Sequence, residues 1–324
     1  MKKLYKDIRF TKGILTLTAG LLIAGCSAED EQGNNSSAQQ LNMIPMVNDL
    51  QKSRANDEDA LHEKTLSKLD FKMFEPAFSK CCVNHQSSSP AENQAEVLGK
   101  DNWKVDLNLQ EDHSYNYYAV ANAQADLSKK TLKELQAATQ QDNDIWLPYP
   151  QAKDKKFLMS AKGQYIISKD PIQDIPVELV RAAAKIKLNL SSSVNGYNIT
   201  NVKWKFLNYN TNTSVFADQT AKPNIMSNNA DNMVDKIEAN KCSVTTYSYS
   251  TTWTSQEDAP KIAVKVVFES KDNKNDTREK ELTIPVRDPK GEKKLERNYI
   301  YTINADIKRL KDSINIDYNE ELGY

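Results

Sequence analysis

The chain has 324 residues, 43 basic and 44 acidic, with a formal net charge of −1. So near a balance excludes the electrostatic footprint of a nucleic-acid binder or of a protein steered to a strongly anionic surface. Four cysteines are too few for the disulfide framework of a small secreted scaffold, so a hydrophobic core must hold the fold, and the length has room for two domains of ordinary size.

The first element is a leader. Lys2, Lys3, Lys6, Arg9 and Lys12 precede an apolar run from Ile14 to Gly25, which stops at Ile23-Ala24-Gly25-Cys26. Residues 1–25 read as a bacterial secretion signal, since the run is well short of the roughly 20 residues that span a bilayer. The small side chains before Cys26 form a lipobox, which predicts a lipidated Cys26 at the new N-terminus. At about 0.8 kcal/mol per buried methylene, its acyl chains would hold the protein on a membrane without a helix. The acidic Ser27-Ala28-Glu29-Asp30-Glu31 beside it resembles the surface-export signal of Bacteroidota lipoproteins. No second hydrophobic segment follows.

Glu29 to Gln40 is polar, has nothing to bury and reads as a tether. At about 3.3 to 3.6 Å per extended residue it could lift a domain clear of lipid headgroups. Leu41, Met43, Pro45 and Val47 then alternate with Asn42, Ile44, Met46 and Asn48, a short strand weakened by its proline. Lys52-Ser53-Arg54-Ala55 follows.

Period-two patterning dominates from there. Leu66 to Phe74 suits a core strand, Trp103 to Leu109 alternates with Lys104, Asp106 and Asn108, and Tyr115 to Val120 adds an aromatic strand of the same sheet system. Thr131 and Glu134 have capping-box spacing, and Leu132, Leu135 and Ala138 fall on one face of a helix. The prolines at Asp170-Pro171 and Ile175-Pro176 mark a boundary between an N-terminal domain over 55–175 and a C-terminal one over 176–324.

The second half restarts with an alternating run from Val177 to Leu190 and a strand at Asn201 to Asn208. Ile262 to Phe268 pairs with Glu279 to Val286 across the polar turn Ser270 to Asp276, and Tyr299 to Ile307 is the last clear strand. Asn208 to Thr252, rich in Asn, Thr and Ser, reads as long loops at one end of a sandwich. The architecture expected is mostly β, two β-sandwich domains in tandem with one or two short helices.

Residues that could carry chemistry are sparse. Cys81, Cys82 and His85 lack the four-ligand pattern of a structural zinc site and read as an ordinary strand end or loop, so no metal or other cofactor is expected. His62, His85 and His113 come with no serine elbow and no glycine-rich phosphate loop, and no carboxylate pair can be placed across a cleft, so the chain reads as no enzyme. Trp103, Trp146, Trp204 and Trp253 could stack on sugars, although aromatic residues in alternating strands more often fill a core.

Four segments carry a family resemblance: Leu66 to Phe74, Tyr117-Tyr118-Ala119-Val120-Ala121-Asn122, Val180-Arg181-Ala182-Ala183-Ala184-Lys185-Ile186, and Leu295-Glu296-Arg297-Asn298-Tyr299-Ile300-Tyr301. Their order and spacing, behind a lipobox, resemble the Bacteroidales fimbrillin family, the subunits of type V pili. The resemblance implies two transthyretin-like β-sandwich domains and a lipoprotein precursor at the outer membrane and cell surface. It also implies trimming by an arginine-specific protease before assembly with other fimbrial subunits.

In that family the cut follows an arginine after the first strand, a place held here by Arg54 before Ala55. Removing 26–54 would release the lipid and the strand, leaving an unpaired edge and an apolar groove for a neighbour's strand. Leu41, Met43 and Val47 are the expected plug. Arg181-Ala182 is a poor second cleavage candidate, because Arg181 opens a predicted strand. Arg297 reads as a strand start in a surface pair. Members that polymerise typically end in a further strand bearing a tryptophan, whereas this sequence ends soon after Ile314-Asn315-Ile316-Asp317-Tyr318. Three readings stay open: Ser313 to Tyr324 is a short donor, the protein accepts a strand and donates none as a tip or accessory subunit, or the sequence is truncated. The expected function is a fimbrial subunit that contributes to adhesion, against a glycan-binding surface lipoprotein or an uncleaved pilus anchor.

Overall fold

The computed structural model describes residues 39–47, 63, 65–77, 79–88, 103–107, 109–147, 156–170, 172–287, 291–311 and 315–322. The first half supplies β1 Gln39–Val47, β2 Lys68–Phe74, β3 Cys81–Ser88, β4 Trp103–Leu107, β5 Ser114–Ala121, α1 Leu132–Gln136, β6 Thr139–Gln141, β7 Met159–Ile166 and β8 Ile172–Arg181. The second supplies the long strands β9 Ala183–Ser192, β10 Tyr197–Leu207, β15 Lys241–Tyr249, β17 Lys261–Ser270, β18 Thr277–Pro285, β20 Tyr299–Ile307 and β21 Asn315–Leu322. Between them lie short pairing segments: β11 Tyr209–Asn210, β12 Asn212–Ser214, β13 Ile225–Met226, β14 Asn232–Met233, β16 Thr251–Thr252 and β19 Lys294–Leu295.

The fold is mostly β and built as β-sandwiches. Seven strands of the first half are ordered β3-β2-β5-β7-β8-β1-β4. The β7–β8 link is only Met159 opposite Arg181 and Ser160 opposite Val180, so the array divides there into two layers. The second half stacks β14-β10-β17-β18 against β15-β9-β20-β21, with a shared core that includes Ile186, Leu188, Val202, Trp204, Phe206, Val264, Phe268 and Ile303. Period-two burial is the cause: β9 turns Ala184, Ile186, Leu188 and Leu190 inward and β17 turns Ile262, Val264, Val266 and Phe268 inward, one apolar row from each strand.

The helix and the hairpin form where the sequence places them. Thr131 caps α1 by accepting from the Glu134 N–H while the Glu134 carboxylate accepts from Thr131 N–H, and Leu135 is the buried anchor. β17 pairs with β18 from Lys261 opposite Pro285 to Glu269 opposite Thr277.

Elsewhere the structure corrects the sequence reading. The proline-marked boundary at 175/176 falls inside β8, a continuous strand from Ile172 to Arg181 in which Gln173, Ile175, Val177 and Leu179 are buried. Pro176 is tolerated because over 172–179 the strand pairs, among the described residues, only with β1, so no described neighbour on the other side needs its donor. The run Val177 to Leu190 breaks at Ala182, whose N–H turns to the carbonyl of Leu158 (2.9 Å). The Asn208 to Thr252 stretch is not only loop: it holds β15, which pairs with β9 over nine residues from Lys241 to Tyr249. Its hydroxyl-rich sequence hides the strand because Thr246 and Ser248 are buried and hydrogen-bonded within the fold. Of the two settings the sequence left for Cys81 and Cys82, strand end or loop, the strand end is the one found: they open β3, which also holds His85 and pairs with β2 across a register shift beside Phe74.

The two halves are joined through side chains and a ladder. β6 pairs with β12, the Ser160 hydroxyl donates to the carbonyl of Val215 (2.7 Å), and Tyr118 meets the Phe216 ring edge-on at 5.3 Å. Ser37–Tyr324 accordingly form one compact unit.

Candidate functional site

β1 is an interior strand, not an edge. It runs parallel to β8, from Gln40 opposite Ile172 to Val47 opposite Leu179, and antiparallel to β4, from Gln39 opposite Leu107 to Met43 opposite Trp103. Pro45 sits past the last residue paired with β4, where the strand has a single neighbour and a missing N–H costs least. Leu41 and Met43 are fully buried in the core, and Pro45 and Val47 are buried as well, whereas Met46 faces outward. Asn42 is buried on the other row, where its amide donates to Asp174 Oδ1 (3.0 Å).

Taking this strand away would therefore unpair both β8 and β4, where the sequence suggested one edge. It would also open an apolar slot with four vacated side-chain positions. At roughly 1.5 to 3 kcal/mol per buried apolar side chain, plus the ladder bonds, the slot would present several kcal/mol of unsatisfied surface.

A buried polar cluster gathers around Glu63. Glu63 is buried; Lys185 on β9 pairs with its Oε1 at 2.9 Å and donates to Oε2 at 3.2 Å, and the Tyr247 hydroxyl on β15 donates to Oε1. The Arg181 guanidinium at the end of β8 donates to the Glu63 carbonyl (2.7 Å) and to Asn298 Oδ1 (3.2 Å). Burial opposes ionisation of Glu63, yet Lys185, Tyr247 and Arg181 together hold its carboxyl below the usual range. Beside the cluster Asn122, at a positive φ of 59°, donates to the carbonyls of Thr65 (2.8 Å) and Phe157 (2.9 Å) and accepts from the Ser67 N–H (2.9 Å). All four segments that carry the family resemblance thus meet here, through Ser67, Asn122, Arg181 with Lys185, and Asn298.

Cys26, Arg54 and Ala55 lie outside the described residues, as does His62. Arg181 ends a strand instead of opening one, and it is buried. Arg297 is no surface pair: its guanidinium donates to Thr213 Oγ1 (3.0 Å) and to the carbonyls of Ser214 (2.8 Å) and Val215 (3.3 Å), and burial pulls its pKa down to about 10. Trp204 and Trp253 are buried, and Trp146 packs edge-on against Trp204 at 6.1 Å, so these three rings form no stacking platform. The thiols of Cys81 and Cys82 turn to the carbonyls of Val83 and Lys80, while His113 is exposed. β21, where the sequence left a short donor as one option, is paired with β20 from Tyr299 opposite Leu322 to Asp306 opposite Asn315. The Glu63 cluster escaped sequence reasoning because its direct partners Arg181, Lys185 and Tyr247 are 118, 122 and 184 residues from Glu63 in the chain. The only local signal was the recurrence of Arg181, Lys185 and Asn298 in the resemblance.

The sandwich fold is shared with solved structures of fimbrial and candidate cell adhesion proteins. A fimbrilin of Porphyromonas gingivalis superposes with a TM-score of 0.58 at 14% identity, over 88% of this chain and 97% of that one. A candidate cell adhesion protein of Parabacteroides distasonis gives 0.58 at 14%, over 88% and 96%. The tip fimbrial protein Mfa3 of Porphyromonas gingivalis, with a C-terminal truncation, gives 0.54 at 15%, over 88% and 99%. At these identities the likeness is one of fold. No protein-family profile and no curated protein matches the sequence.

Proposed function

We propose that this protein is a structural subunit of a cell-surface fimbria, exported as a lipoprotein through Cys26, cut after Arg54 and joined to other subunits by strand exchange. The observation that carries the reading is β1: an interior strand with Leu41 and Met43 in the core, whose only covalent link to the fold passes through the segment holding Arg54. Cutting there makes β1 a separable peptide, and a neighbour's strand of similar alternation can take its two ladders and its slot. The fold shared with a fimbrilin and a tip fimbrial protein supports the same reading. Its role is structural and adhesive, without catalysis.

β21 bears on which way the strands are exchanged. Eight register pairs with β20 hold it in its own sheet, so donation would require their release, whereas acceptance requires the cut and then the release of β1 from its eight register pairs with β8 and five with β4.

The test is N-terminal mass mapping of protein recovered from cell-surface fibres and from the membrane fraction. Fibre-borne chains starting at Ala55 are expected. Intact chains with a lipidated Cys26 and no Ala55 species would overturn the processing and leave an uncleaved anchor.

A further inference from the structure

The geometry points to a second role for the Glu63 cluster: we propose that it is the lock that ends proteolytic trimming, holding the chain from Glu63 onward against the second half while everything before it can be removed. The inference rests on the reading that the precursor is cut after Arg54. A protease must draw several residues in extended form into its cleft, so a bond is cut only where the chain on both sides can leave the fold.

Residues 48–62 lie between two fixed points, the end of β1 at Val47 and Glu63. From Glu63 onward, hydrogen bonds hold the chain at Glu63, Thr65 and Ser67 before β2 begins. The Glu63 carbonyl is bound by Arg181, its carboxylate by Lys185 and Tyr247, the Thr65 carbonyl and Ser67 N–H by Asn122, and the ladder of β2 with β3 begins at Lys68. Drawing out the Lys64–Thr65 bond would expose a buried carboxylate and strip Lys185 and Tyr247 of their partner, the most costly way to open a buried pair. The lock also spans the molecule: Arg181 closes the strand that flanks β1, while Lys185 and Tyr247 belong to β9 and β15. Loss of the first strand therefore leaves the head of the mature chain fastened to both halves.

The experiment is limited trypsin digestion of the full precursor, with N-termini mapped by mass over time, in wild type, Glu63→Gln and Tyr247→Phe. Trypsin cuts after lysine and arginine alike, so it reads Arg54–Ala55 and Lys64–Thr65 in one digest. Wild type should accumulate Ala55 and stop. Both variants should release Thr65 or Leu69 at least ~10-fold faster relative to the Arg54 cut, the loss expected on removing a hydrogen bond to a charged group. Tyr247→Phe leaves the residues around Lys64 unchanged, so a faster cut there reports the lock and not the protease subsites. It also retains the Lys185 pair, which keeps the test open should Glu63→Gln fail to fold by circular dichroism. Wild type cut at Lys64 as fast as at Arg54, or a folded Tyr247→Phe variant as resistant as wild type, would overturn the lock. An intact Arg54–Ala55 bond in the folded precursor would instead sink the processing reading, while resistance at Lys64 would still uphold the lock.

Discussion

Met43→Ala in the uncleaved precursor isolates the contribution of the first strand. Met43 is fully buried, in register with Ile175 on one side and Trp103 on the other. Truncating a buried Met to Ala costs about 2 to 5 kcal/mol, with the upper part of the range expected where flanking strands cannot collapse into the void. Held between two ladders, β1 has little room to do so. The same free energy applies to retention of the strand after a cut, since the peptide is then held only by its ladders and side chains. At 1.36 kcal/mol per tenfold, 2 to 5 kcal/mol corresponds to roughly 30-fold to several-thousand-fold weaker retention. Two assays read it: the urea midpoint of the precursor at unchanged slope, and release of the N-terminal peptide on gel filtration after cleavage with an arginine-specific protease. Once the peptide is gone, wild-type and variant chains are chemically identical and must unfold alike. A precursor destabilised by less than about 1 kcal/mol, together with unchanged peptide release, would refute the assignment of Met43 to the plug.

Further outcomes follow from single sites. Replacing Leu41, Met43 and Val47 together by aspartate should lower the precursor's melting temperature and leave the trimmed form untouched. Gly163→Ala should cost about 1 to 3 kcal/mol, because a Cβ there would lie 2.7 Å from the Tyr117 ring; Tyr117→Ala in the same chain should recover part of the loss, read by thermal unfolding. Thr131→Ala should cost about 0.5 to 2 kcal/mol by stripping the cap from α1, measured by the same melts. The acid limb should report Glu63. Its folded pKa lies below 4.5, so the stability it adds is present above that pH and is lost as pH falls through the folded value. The groups that face it are Lys185, Arg181, Tyr247 and Asn298, and urea midpoints of wild type and Glu63→Gln should converge below pH 4.5. A constant gap down to pH 3 would contradict an ionised, paired Glu63.

Local pattern carried much of the fold. The strands around Phe71, Tyr118, Phe206 and Val264, the hairpin of β17 and β18, and the capped helix all sit where residue alternation or a capping box placed them, because each depends on neighbours within a few positions. Prolines misled at β8: as punctuation they argue for a boundary, but a strand tolerates them where no described neighbour needs the donor. Hydroxyl-rich β15 was read as loop because Thr246 and Ser248 are buried only after the fold supplies their hydrogen-bond partners.

The candidate site divides the same way. The sequence by itself determined that residues 41–47 alternate, with Leu41, Met43 and Val47 on one row, since side-chain direction in a strand has a period of two whatever the partner. Only the tertiary structure decided that this strand lies between β8 and β4 and not at an edge, and that Glu63 meets Arg181, Lys185 and Tyr247. Both depend on contacts between residues far apart in the chain, and no local period encodes which distant strand a segment will pair with or which distant charge a carboxylate will find.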